Sequence, residues 1–142
     1  MSVAARLAEL GIELPSVVPP VAAYLPATVH GDLVYTSGQL PMVAGSLPAT
    51  RKVGGTVDAE DAKAYARQSA LNAVAAAAAA VGGVDRLVGV VKVTGFVASV
   101  PDFTGQPGVI NGASEVLGDI FGEAGRHARS AVGVPVLPLD SP

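Results

Sequence analysis

The segment Gly125-Arg126-His127-Ala128-Arg129-Ser130-Ala131-Val132-Gly133-Val134 runs from charged and polar residues directly into small, β-branched ones. Its second half reads as a strand, so Arg129 stands at a strand mouth, between a loop and the core. A guanidinium presents a planar fork of N–H donors matched to a carboxylate or phosphate, and it stays charged at physiological pH. The chemistry available to it is the anchoring of a small anion. The plainer reading, an arginine paired with a nearby acid or lying along the surface, is the commoner one, and position alone favours it.

Other residues with chemical potential carry less. Ser37, in Thr36-Ser37-Gly38-Gln39, lacks the flanking glycines, the strand-to-helix turn and the His/Asp pair of a nucleophile elbow, and reads as a turn former. Gly82-Gly83 follows a helix instead of opening one, so it is no phosphate loop. Asp58, Glu60, Asp61, Glu115 and Asp119 read as capping or solvated acids. His30 and His127 are far apart and without helical spacing, which argues against zinc and predicts no metal site. Each reads as a surface or turn histidine.

The chain of 142 residues is long enough for one domain with its own core. Half the residues are hydrophobic, and with only 15% charged the composition excludes disorder. The apolar residues are mostly small, which suits a chain that gains core by burying a face against another subunit. A net charge of −3 with scattered Lys and Arg argues against nucleic-acid binding. With no cysteine, thiolate catalysis and disulfides are excluded. The N-terminus reads as no signal peptide, and the alanine-rich run from Ala73 to Val81 is too short to span a membrane. The expectation is a soluble, cytoplasmic protein.

The elements that must position Arg129 follow from pattern. Ser2 to Leu10 reads as a short amphipathic helix with Gly11 as its C-cap. Pro15, Pro19 and Pro20 force an irregular connector. Tyr24 to His30 and Leu33 to Ser37 flank Gly31-Asp32 as a hairpin, and a brief strand is expected near Arg51 to Val53. A long helix starts at the Asp58 cap, places Ala62, Tyr65, Ala66, Ser69, Ala73, Ala76 and Ala80 on one small-residue face, and ends at Gly82-Gly83. Leu87 to Ala98 reads as a strand bent at Gly89 or Gly95. Gly108 to Phe121 reads as a second helix with Val109, Val116, Leu117, Ile120 and Phe121 inward, and Ala131 to Val136 as another strand. This order predicts an α+β domain over residues 1–142, a mixed β-sheet with two helices packed on one face, preceded by the short helix and Pro-rich extension of residues 1–20.

Several of these segments together resemble the Rid family of enamine/imine deaminases, also called the YjgF or endoribonuclease L-PSP family. The residues that carry the resemblance are Tyr24, Tyr35-Thr36-Ser37-Gly38-Gln39-Leu40-Pro41, Ala66-Arg67-Gln68 with Asn72, Val93 with Phe96-Val97, Asp102-Phe103, Asn111, and Ala128-Arg129-Ser130-Ala131-Val132 with Leu137-Pro138. The resemblance implies a chorismate-mutase-like fold assembled as a homotrimer with clefts between subunits. It implies cofactor-independent hydrolysis of reactive 2-imino and 2-enamino acids to 2-keto acids and ammonia. By the same resemblance Arg129 falls on the position that holds the substrate carboxylate, Gly38 on a glycine whose backbone helps hold substrate, and Tyr24, Ser37 and Asn111 on cleft-lining positions.

Three features depart from the pattern. Ala131 stands where the family commonly has cysteine. The N-terminal helix and connector lengthen the chain and place it in a divergent subgroup. The family's last strand, with its glutamate, either follows Pro142 or is absent; the first is expected, since a missing strand would expose a sheet edge. These departures keep a second reading open, a non-catalytic trimer that binds small carboxylates or acts in regulation. Ribonuclease activity, which one family name implies, fits poorly with the acidic charge.

Overall fold

The computed structural model describes residues 1–17 and 22–142. The longest element is the helix α2, Ala59–Val81. Asp58 caps it, its carboxylate accepting from the Asp61 N–H at 2.9 Å, and Gly82 ends it at φ +87. That left-handed conformation is the one a glycine adopts without a Cβ clash. The buried residues of α2 centre on Leu71, Val74 and Ala78, with Ala62 and Ala76 also buried but Ala80 exposed. The inward stripe is therefore rotated from the alanine face expected from spacing, because Leu71 and Val74 remove more apolar area from water than any alanine.

The second long helix, α3, spans Gln106–Phe121 and buries Val109, Ile110, Ala113, Val116, Leu117 and Ile120, with Phe121 half-buried. The two helices pack closely at Gly112, where a Cβ would run into the Lys63 carbonyl. The short α1, Val3–Glu9, is capped by Ser2, and Leu10 with Gly11 at φ +66 closes it as expected. Leu7 is buried, and Arg6 Nε donates to the Asp119 carbonyl at 2.8 Å, so α1 sits on the C-terminal half of α3. Pro15 lies in irregular chain; Pro19 and Pro20 of the expected connector lie outside the described residues.

The strands form two ladders. β1, Ala27–His30, and β2, Leu33–Thr36, are an antiparallel hairpin around Gly31-Asp32, with Gly31 at φ +58. β3, Lys92–Ala98, and β4, Ala128–Val134, are parallel, with α3 as the crossover that a parallel pair requires. The strand expected from Leu87 begins only at Lys92. The Val90 N–H is taken instead by the Ala124 carbonyl at 2.8 Å, beside Gly89, where a Cβ would collide with Ala124. β4 begins at Ala128, three residues before the expected start. The expected strand near Val53 is reduced to single bridges, because Gly54 at φ +85 turns the chain back. Val53 itself is fully buried and joins the edge of β3 through Ala98 and Val100. The mixed α+β class holds, with the helices covering one side of the β3–β4 ladder.

Candidate functional site

Arg129 pairs with Val93 in the β3–β4 register. Side chains alternate across a strand, so Val93, Gly95 and Val97 share one side with Arg129, Ala131 and Gly133. Val97 is buried, Gly95 lies against Ile110, and Ala131 packs on the core, so this is the helix side. α3 meets Arg129 with residues four and three apart, which share a helix face. Arg129 Nη1 donates to Asn111 Oδ1 at 2.8 Å and to Ser114 Oγ at 3.1 Å, and Nη2 donates to the Pro107 carbonyl at 3.3 Å. A guanidinium carries five N–H donors, so the Nε–H and one Nη2 hydrogen are left for a ligand.

All three partners of Arg129 are neutral. The ion pairs among the described residues join Arg6 to Glu9, Lys52 to Asp140, Lys63 to Glu115 and Arg126 to Glu123; none includes Arg129. Of the plainer reading, the arm that pairs the arginine with an acid finds no partner among the described residues. A half-buried cation oriented by fixed neutral acceptors can take an anion without first breaking an ion pair.

Behind Arg129 lies a second layer of contacts. Ser114 Oγ is 2.9 Å from His127 Nε2, and His127 Nδ1 is 2.6 Å from the Gly125 carbonyl oxygen. Ser114 and His127 were not among the expected site residues. The signal was present in the spacing: His127 precedes Arg129 by two in an extended segment, and Ser114 follows Asn111 by three on a helix, so both share a face with their neighbour.

The remaining expected site residues lie with the other ladder. Ser37 Oγ donates to the Leu25 carbonyl at 2.6 Å and its N–H to the Pro26 carbonyl at 2.8 Å, tying the base of the hairpin. Tyr24 is exposed, and Gly38 is exposed with open space where a Cβ would stand. Asn72 Nδ2 holds the loop that follows, donating to the carbonyls of Leu40 and Met42 at 2.9 and 3.1 Å. Within one chain, then, Arg129 and Asn111 meet, whereas among the described residues no hydrogen bond joins Tyr24, Ser37 or Gly38 to them. Among the described residues no three His, Cys, Asp or Glu side chains cluster to hold a metal ion, and no helix is long and apolar enough to cross a membrane.

The order of elements, the ladder geometry and the arginine at the mouth of β4 can be set against known proteins. Residues 4–142 match the family described as YjgF/chorismate mutase-like, putative endoribonuclease. The chain belongs to that family. It is 44% identical over 140 residues to the protein TCP17 of Trypanosoma cruzi, covering 96% of this chain and 86% of the relative. Among solved structures it is similar to Atu1372 of Agrobacterium tumefaciens, a protein described as of unknown function. That likeness has 45% identity and a TM-score of 0.89, covering 98% of this chain and 86% of the other. It is also similar to E. coli TdcF with bound serine, at 28% identity and a TM-score of 0.60, covering 88% and 85% of the two chains.

Proposed function

We propose that this YjgF-family protein hydrolyses reactive 2-imino and 2-enamino acids to 2-keto acids and ammonia, with Arg129 holding the substrate carboxylate. The observation that carries this reading is the state of Arg129: three neutral acceptors fix the guanidinium, among the described residues no acid pairs with it, and two donors remain. Those two donors suit a carboxylate, and the TdcF structure with serine gives a family example of a bound amino acid.

The chemistry asks little more of the site. The imine carbon is already electrophilic; water adds to the C=N bond, the carbinolamine loses ammonia, and R–C(=NH)–COO⁻ plus H₂O becomes R–C(=O)–COO⁻ plus NH₃. No electrons are exchanged, so the reaction needs no cofactor. Anchoring the carboxylate orients the imine carbon toward water, a gain of proximity and orientation. Asn111 holds Arg129 from α3. In this proposal Tyr24, Ser37 and Gly38 reach the cleft from a neighbouring copy in a homotrimer. The outer side of the β3–β4 ladder supports such an assembly, since it exposes Phe96 at 54% and Val132 at 43%. Apolar side chains on the open face of a sheet mark a contact surface. We place the protein in the cytoplasm.

A carboxylate-binding protein without turnover is the second reading. It is favoured by Ala131, which packs on the core beside Arg129 and brings no polar group to the site. The test generates 2-iminobutanoate with an amino-acid oxidase in the presence of semicarbazide, which traps free imine. A protein that releases 2-oxobutanoate faster than buffer and lowers semicarbazone formation supports the deaminase. Unchanged semicarbazone with measurable binding of 2-oxobutanoate supports the binding protein.

A further inference from the structure

We infer that Ser114 and His127 are positioning residues for the Arg129 anion site, and that protonation of His127 tightens its hold on a carboxylate. The inference rests on the carboxylate reading of Arg129 and deepens it.

The direction of each hydrogen bond follows from what each atom can do. The Gly125 carbonyl only accepts, so His127 Nδ1, 2.6 Å away, carries a hydrogen. In the neutral ring Nε2 is then a bare lone pair, and the Ser114 hydroxyl 2.9 Å away donates to it. With its hydrogen committed to His127, Ser114 Oγ turns lone pairs toward Arg129 Nη1 at 3.1 Å. The chain runs from the guanidinium through serine and imidazole to a backbone carbonyl, each link fixing the next. Ser114 is thereby held as an acceptor, which is what Arg129 needs from it.

Protonating Nε2 reverses one link. Nε2–H now donates to Ser114 Oγ, and the serine hydrogen is released to find another acceptor. The imidazolium places a second positive charge behind the guanidinium, whose Nε–H and Nη2 hydrogen are free on the edge away from Ser114. That added charge attracts a carboxylate bound there, so the liganded protein prefers the protonated ring. By linkage, affinity rises as pH falls, and binding takes up protons. The charged groups on the surrounding elements are Arg126 and Glu123, paired at 3.4 Å; Glu115, paired with Lys63 at 3.0 Å; Asp119 on α3; and Lys92 and Arg129 on the strands. Among the described residues none of them bonds the His127 ring directly.

The test titrates the intact protein with 2-oxobutanoate by calorimetry between about pH 5.5 and 8, the range in which histidines change charge. Wild type binds several-fold more tightly at the acid end and takes up protons, measured as a dependence on buffer ionisation enthalpy. His127→Gln, whose amide oxygen can accept from Ser114 but which does not titrate, gives a flat pH profile and no proton uptake. Ser114→Ala binds about tenfold more weakly at pH 8, the scale of one lost hydrogen bond to a charged group. A His127→Gln profile as steep as wild type overturns the inference, as does wild-type affinity in Ser114→Ala. Imidazole ¹⁵N shifts give a readout free of ligand: the Nδ1–H tautomer supports the relay, and the Nε2–H tautomer refutes it. Binding without imine turnover refutes the deaminase reading alone, and wild type that binds nothing at any pH overturns both.

Discussion

Gly112 is the point at which packing and the candidate site meet most closely. A Cβ built there falls 2.9 Å from the Lys63 carbonyl carbon and 3.0 Å from Lys63 Cγ, with the Lys63 oxygen nearer still. Ordinary contacts between carbon atoms lie near 3.5–4.0 Å, so Gly112→Ala must push α2 and α3 apart by roughly 1 Å. Overpacking of this kind costs about 1–3 kcal/mol, and the obstacle is backbone, which cannot rotate aside. Against it stands the gain in helix propensity on replacing glycine with alanine, about 1 kcal/mol. Against immovable backbone the clash falls at the upper end of that range, about 3 kcal/mol, so it wins, and a net loss near 2 kcal/mol lowers the melting temperature by roughly 5–10 °C in a domain of this size. Asn111 and Ser114 ride on the same stretch of α3, so the acceptors of Arg129 move with it and carboxylate affinity falls together with stability. The assay is thermal unfolding at a fixed protein concentration, paired with calorimetric binding of 2-oxobutanoate. A Gly112→Ala protein that melts higher than wild type would show that propensity outweighs the clash, and the close approach of the helices would be wrong.

Three further outcomes are expected from the same reasoning. Asp58→Ala removes the side-chain acceptor from the Asp61 N–H and costs about 1 kcal/mol, whereas Asp58→Asn keeps most of it; denaturant midpoints separate the two. Val97, 2% exposed, loses about 2 kcal/mol on truncation to alanine, while Val88→Ala, at a residue 88% exposed, stays within about 0.5 kcal/mol of wild type. Phe96→Glu places a charge on the outer side of the β3–β4 ladder; if that face joins copies as proposed, light scattering shows a smaller particle than wild type, and an unchanged mass would remove that face from the interface.

Most of the fold was legible because the local signals agreed with the tertiary demands. The Asp58 cap and the Gly82-Gly83 stop bound α2, and Gly31-Asp32 turns the hairpin where the pattern put it. What was not legible depends on contacts distant in sequence. The run from Leu87 to Val91 is as valine-rich as the strand after it, yet Ala124 takes the Val90 N–H and the ladder begins only at Lys92. The rotation of α2 likewise depends on which helix face α3 reaches. Arg129 emerged from its chemistry and from the family resemblance, Asn111 from the resemblance alone, and they meet in the folded chain. A helical serine and an isolated histidine are common surface residues, so the spacing that puts Ser114 on the face of Asn111 and His127 on the face of Arg129 is a weak signal until the register of α3 over β4 brings both behind the arginine.

The claim that Arg129 anchors the carboxylate of an imino acid is tested most directly by one comparison. Oxidase-generated 2-iminobutanoate is followed as semicarbazone and as free 2-oxobutanoate, with wild type beside Arg129→Ala at equal concentration and matched folding by circular dichroism. Losing a charge-assisted, bidentate contact is predicted to reduce the acceleration over buffer by about a hundredfold or more. Acceleration that survives intact in Arg129→Ala would contradict the account and move the site elsewhere.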